Sequence, residues 1–255
     1  MEFLIIFYLM SFAGWVLESI YANMKDGKWQ NRGFLYGPLC PIYGIGGIGV
    51  YLFYLFSDIR STPLLFCIFA IGSAVLEYVV SFVLEKIFHA VWWDYHYMPF
   101  NLNGRICLPA SLCFGLIGTT VYAFGIPFFE RYILTYAKTN QPFVFLLILI
   151  IVYITGMDTA FTLASITKAI QLLENLSVQM SDTINFHEDQ FRKRKEKIKN
   201  IVLYKVPGEL SENIIIRIPG IRKMEHRQLL NIKRFSASKM ETKKKKLLEI
   251  LEKKD

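Results

Sequence analysis

Apolar and polar positions along the chain alternate in long blocks. Five stretches are rich in Leu, Ile, Val, Phe and small residues and nearly free of charge, at about Phe3–Asn23, Pro41–Phe56, Pro63–Leu84, Leu108–Phe129 and Phe143–Ile166. Crossing a bilayer takes about 20 such residues in a helix. The pattern therefore predicts an all-α polytopic membrane protein with five transmembrane helices, of which the second is the shortest and the richest in glycine. The segment leading into that helix, Asn31 to Gly49, packs glycines, prolines, an arginine and aromatics together. Proline lacks an amide donor and glycine lets backbones approach closely. Irregular backbone survives at membrane depth only where protein or water satisfies it. The segment thus predicts a shaped entry into the helix, lining a cavity or a tight interface; the plainer reading is a loop followed by a small-residue packing face. Beyond the fifth stretch, Ile170, Leu173, Met180, Ile184, Phe191, Ile198 and Ile201 recur at spacings built from threes and fours. That predicts a long amphipathic helix or coiled coil running on from the span, able to pair with a second copy as a homodimer. Pro207-Gly208 and Pro219-Gly220 break the chain around the short apolar run Ile214–Ile218, and Lys243–Lys246 begin a basic terminus.

Two halves of the apolar region match. Trp15-Val16-Leu17-Glu18 in the first span corresponds to Ala74-Val75-Leu76-Glu77 in the third. Gly33, Pro38, Gly44, Gly47 and Tyr51 then correspond to Gly104, Pro109, Gly115, Gly118 and Tyr122 at one constant offset. The second copy is longer by about a dozen residues, which include Trp92, Trp93, Asp94, Tyr95 and Tyr97. This reads as a duplicated helix hairpin with a glutamate inside the first helix of each copy. Two spans per copy give both copies the same orientation, a parallel repeat with a pseudo-two-fold axis along the membrane normal. The expected organisation is a transmembrane domain over 1–167, with repeats at about 3–56 and 63–129 and a fifth helix at about 143–166, followed by a partly helical basic tail over 168–255.

Charge sharpens this division. Residues 168–255 hold 21 Lys+Arg against 12 Asp+Glu, whereas residues 1–167 hold 8 against 9. Lys25, Lys28 and Arg32 follow the first span, Lys86 and Arg105 follow the third, and the basic tail follows the fifth; only Arg60, Arg131 and Lys138 fall on the opposite side. The positive-inside rule then places the N-terminus outside and the tail in the cytoplasm, against anionic lipid headgroups. Met1-Glu2 carries no basic region, so the first span is expected to be retained rather than cleaved as a signal. No recognition motif accompanies the basic charge, which argues against nucleic acid as a partner.

Ionisable residues within spans are expensive and mark functional candidates. Glu18, Glu77 and Asp158 each lie roughly 15 residues from the outer end of their span, and at about 1.5 Å per residue they share one depth. Arg32 and Arg105, with the neighbouring Asn31 and Asn103, precede the glycine-rich helices and are the expected partners of the acids, since a paired carboxylate and guanidinium cost less in low dielectric than either alone. Together Glu18, Asn31, Arg32, Glu77, Asn103, Arg105 and Asp158 predict one polar site facing the cytoplasm, either a ligand site or a fold-locking network. Cys40, Cys67, Cys107 and Cys113 stand at no metal-ligand spacing, and His89 and His96 bracket Trp92-Trp93 as an interfacial group rather than a metal site. No metal or cofactor is called for. A nucleophile elbow and a phosphate-binding Gly-x-x-x-x-Gly-Lys-Ser/Thr loop are both missing, so ATP hydrolysis by this chain is not expected.

The run Gly14-Trp15-Val16-Leu17-Glu18, the run from Asn31-Arg32-Gly33-Phe34-Leu35-Tyr36-Gly37-Pro38 to Gly44, Trp93-Asp94-Tyr95, and Asn103-Gly104-Arg105-Ile106-Cys107-Leu108 are the most distinctive motifs. In these, over about residues 1–165, the chain resembles the bacterial membrane family called putative ABC-transporter type IV (CmpB-like). The resemblance implies a bacterial plasma-membrane protein labelled a permease, with a separate ATPase subunit as a potential partner. Three functions compete: a transport-related membrane subunit, a non-catalytic scaffold whose tail recruits partners, and an enzyme acting on lipid headgroups through Glu18 or Glu77 as base and Arg32 or Arg105 on a phosphate.

Overall fold

The computed structural model describes residues 1–26, 33–191 and 234–235. Asn31 and Arg32, most of the basic tail, and the expected breaks at Pro207-Gly208 and Pro219-Gly220 lie outside the described residues. The described chain is mainly helical: α1 (Glu2–Asp26), α2 (Pro41–Phe56), α3 (Thr62–Phe88), α4 (Leu108–Thr139) and α5 (Gln141–Phe191). Four of these, α1, α3, α4 and the first part of α5 through Gln171, are long and apolar enough to cross a membrane. The second of the expected spans, α2, is apolar but only 16 residues long. At a rise of about 1.5 Å per residue it covers about 24 Å, short of the ~30 Å hydrocarbon core.

Prolines set two of the helix starts. Cys40 has extended backbone and Pro41 opens α2, while Cys107 has extended backbone and Pro109 stands in the first turn of α4. Proline tolerates the first turn because the amide it lacks would have no intrahelical partner there. Helix α4 runs ten residues past the expected end at Phe129, through Glu130 and Arg131. Its backbone hydrogen bonds widen by one residue over Val121–Gly125 and Phe129–Leu134, on either side of Pro127. A mid-helix proline removes one bond of the ladder, and wide turns beside it absorb the change. Helix α5 carries the fifth span onward to Phe191 without a break.

The chain forms two compact units. The first takes Met1–Phe82 and Tyr95–Leu163. In it Gly44 and Gly47 of α2 and Gly115 and Gly118 of α4 form packing faces. Gly44 lies against Phe7 and Ser11 of α1, and Gly47 lies against Met10; Gly115 lies against Phe66 and Ala70 of α3, and Gly118 against Phe69. A Cβ on Gly44 would stand 2.7 Å from the Phe7 carbonyl oxygen, and one on Gly115 would stand 2.8 Å from the Ala70 Cβ. The small-residue face is thus what these glycines build. At the end near the N-terminus, Ile6, Tyr51, Ile126, Phe129 and Leu134 form an apolar core, and Lys138 reaches Glu2 at 3.9 Å. At the other end the long loop folds into a hairpin, β1 (Asn101–Leu102) against β2 (Ile106–Cys107). Asn103 and Gly104 both adopt positive φ at its turn, which the Arg105 N–H to Leu102 carbonyl bond closes at 3.0 Å.

The second unit takes Val83–Asp94 and the chain from Ala164 onward. Here α3 ends at Phe88, and His89 after it, with positive φ and its N–H bonded to the Glu85 carbonyl, forms a left-handed cap. Ala90–Val91 pairs antiparallel with Arg234–Phe235, and Trp92 packs edge-on against Phe88.

Candidate functional site: two carboxyl–tyrosine pairs

Glu18 lies four turns into α1, and its partner comes from the first turn of α2. The Tyr43 hydroxyl donates to Glu18 Oε1 at 2.6 Å. Gly14, one turn before Glu18, makes the approach possible, because a Cβ there would run into the Tyr43 ring. The same ring packs edge-on against Phe114 of α4, centroids 5.8 Å apart. Tyr43 and Phe114 occupy matching places in the two sequence copies.

Glu77 on α3 is 6% exposed. The Tyr95 hydroxyl donates to its Oε1 at 2.9 Å, and its Oε2 is buried without a hydrogen-bond partner among the described residues. The copies differ here in a telling way. Phe114 has no hydroxyl to offer, and the donor to Glu77 comes instead from the extra residues of the second loop. The hairpin fixes Tyr95: its N–H donates to the Gly104 carbonyl at 2.8 Å, and its carbonyl accepts the Met98 N–H at 2.8 Å.

Asp158 of α5 is held by backbone. The Gly37 N–H donates to Oδ2 at 2.8 Å and the Tyr36 N–H to Oδ1 at 3.1 Å, with the Thr162 hydroxyl 3.4 Å from Oδ1. Two consecutive amides on one carboxylate tie α5 to the segment that leads into Cys40 and α2; charge-assisted bonds of this kind are among the stronger ones.

The electrostatics bring the first two acids together. Burial pushes the Tyr95 phenol well above its ordinary range, helped by the charge of Glu77, its hydrogen bond, and the charge of Glu18. Burial likewise pushes the Cys40 thiol up to about 12, with Glu18 adding to the shift. Glu18 therefore acts on Cys40, at the start of α2, and on Tyr95, the donor to Glu77.

The sequence-predicted residues divide accordingly. Glu18 and Glu77 are each bonded by a tyrosine hydroxyl, and Asp158 grips the segment ahead of Cys40. The Arg105 guanidinium lies over the rings of Tyr78 and Phe82, at 5.3 and 5.4 Å, with Nη1 3.5 Å from the Tyr78 hydroxyl; the Asn103 amide donates to the same hydroxyl at 3.1 Å. Among the described residues the carboxyls of Glu18 and Glu77 are bonded by the hydroxyls of Tyr43 and Tyr95; Arg32, an expected partner, lies outside those residues. Tyr43, Tyr95 and Tyr78 went unread as site residues. Nothing in their spacing signals a bond across 25 or 18 positions, although Asn103-Gly104 is a strong hairpin signal that brings Tyr95 back toward α3. Among the described residues no group of three or more His, Cys, Asp or Glu side chains is placed to hold a metal ion.

Four helices of spanning length with a polar cluster on two of them define a polytopic helical membrane protein. The family described as "Putative ABC-transporter type IV" matches residues 5–163, and the chain belongs to it. No curated protein and no solved structure matches the chain.

Proposed function

We propose that this chain is the membrane-embedded, permease-like subunit of a transporter in the bacterial plasma membrane, and that Glu18, Tyr43, Glu77 and Tyr95 form its polar ligand site. The observation that carries the site is Glu77 Oε2, buried with no hydrogen-bond donor among the described residues. Leaving a buried acceptor unmet costs about 1–3 kcal/mol, so a fold that keeps one has a use for it. Among the described residues the two carboxyls are met by neutral hydroxyls, which favours a ligand that donates hydrogen bonds or carries positive charge. Asp158, Asn103 and Arg105 frame this site, with Asn31 and Arg32 proposed to complete its rim.

The site opens to the cytoplasm in this reading, because the Lys/Arg asymmetry puts the N-terminus outside and the tail inside. All five apolar helices cross, α2 as a short one. Its tyrosines support this: Tyr51 reaches Glu2 at the start of α1, at 3.2 Å, while Tyr43 reaches Glu18 near the other end. A parallel duplication is supported by matched contacts, Gly44 on Phe7 and Ser11 beside Gly115 on Phe66 and Ala70. Because no phosphate-binding loop stands in the chain, the energy source is a separate ATPase subunit, and the basic tail contacts anionic headgroups and a second copy.

Purification of the tagged chain from native membranes in mild detergent tests this. A stoichiometric ATPase is the expected companion, retained by Glu77→Gln while ligand-stimulated ATP hydrolysis is lost. A chain that purifies without any ATPase would sink the transporter reading and leave the scaffold.

A further inference from the structure

The hairpin beside the site has an outer edge that the site does not use. Tyr97 and Phe100 are 88% and 83% exposed, and Met98 and Leu102 are exposed beside them. These four apolar side chains stand on a built segment. The Asn101 amide donates to the carbonyls of His96 and Met98, at 3.2 and 2.9 Å, while Asn101 Oδ1 accepts the Gly104 N–H at 3.2 Å. Phe100 holds a φ of 52°, a left-handed conformation that bulky side chains rarely adopt. The segment is thus held firmly, with one strained residue, and its apolar side chains stay exposed.

Its position indicates what it meets. The hairpin lies on α3 through Asn103 and Arg105, which contact Tyr78 and Phe82. That side of α3 also carries Val75, Val79 and Phe82, all exposed and all on a spanning helix, where exposure means lipid. The contact falls in the last turns of the apolar stretch, just before the sequence becomes charged at Glu85-Lys86. Tyrosine and other aromatics at this level favour the headgroup region, with apolar parts sunk about 5–10 Å into the acyl boundary.

We infer that the Tyr97–Leu102 segment is a membrane contact of its own, seated in the headgroup–acyl boundary of the leaflet in which α3 ends. It continues the lipid-facing surface of α3 and α4, where Leu108 and Leu112 are likewise exposed, and it anchors the hairpin from which Tyr95 reaches Glu77. The occupant of this apolar edge is lipid.

Spin-label accessibility on the full chain in lipid nanodiscs tests the inference. Phe100→Cys is labelled, with Val75→Cys as the lipid reference and Asp58→Cys as the aqueous one; signal from the native Cys67 and Cys113 is subtracted using the unsubstituted chain. The expected result is severalfold preference for oxygen over a water-soluble nickel complex, as at Val75. Preference for nickel, as at Asp58, would overturn the inference. So would an immobilised label that neither reagent reaches, which would mean a protein partner instead. If Phe100→Cys fails to fold, Tyr97→Cys carries the same readout.

Discussion

Substituting Gly115 by alanine adds one methyl group and tests how closely α3 and α4 approach. The new Cβ would stand 2.8 Å from the Ala70 Cβ, 3.0 Å from the Phe66 carbonyl oxygen and 3.2 Å from the Ala70 Cα. None of these is the free end of a flexible side chain, so no rotamer change relieves the contact and the helices must separate. Overpacking of this kind costs about 1–3 kcal/mol. At about 2–4 °C per kcal/mol for a chain of this size, the melting temperature in detergent should fall by about 2–12 °C. Gly44→Ala should behave alike, since its Cβ would meet the Phe7 carbonyl oxygen at 2.7 Å. Gly72→Ala is the control: nothing lies within 4 Å of its Cβ, so the helix-propensity gain of up to about 1 kcal/mol is unopposed. Thermal unfolding followed by intrinsic fluorescence reads all three. Gly115→Ala and Gly44→Ala melting with or above Gly72→Ala would refute the close-packing argument, and with it the matched contacts behind the duplication.

Two further outcomes follow from the site. Tyr95→Phe removes the donor to Glu77 Oε1 and should cost about 1–3 kcal/mol of stability, whereas Phe114→Tyr adds a hydroxyl in the copy that lacks one and should not restore it; an unchanged melting temperature for Tyr95→Phe counts against the pair. Cys40, with its thiol pushed up to about 12 by burial and by Glu18, should resist maleimide at pH 8 in the folded chain and react on unfolding. The sign for stability follows from the same shift. The folded state favours the protonated thiol, so this contribution is intact below the ordinary thiol range near 9 and is lost as the pH climbs toward 12; a melting temperature that holds steady from pH 9 to 11 would contradict it.

Much of this protein is written in its apolar pattern. The first residue of α2 at Pro41, its last at Phe56 and the start of α4 at Leu108 all follow from where apolar runs meet prolines, because helix starts are local events governed by missing amides and hydrophobic length. The apolar class of the first 167 residues and the family motifs around Glu18 and Asn103-Gly104 are equally local. The end of α4 was not legible: Glu130 and Arg131 look like a boundary, yet Thr139 is reached because wide turns around Pro127 keep the helix going. Partners of the two glutamates were least legible of all. A hydrogen bond depends on which side chain arrives at 2.6 or 2.9 Å, and that depends on the missing Cβ of Gly14 and on a hairpin turning at Asn103-Gly104. Apolar length and helix starts are settled by residues close together in the chain, so the sequence by itself determined them. Only the packing of α1 on α2 and the return of the hairpin to α3 decided that Tyr43 and Tyr95 meet Glu18 and Glu77, because those contacts join residues far apart in the chain.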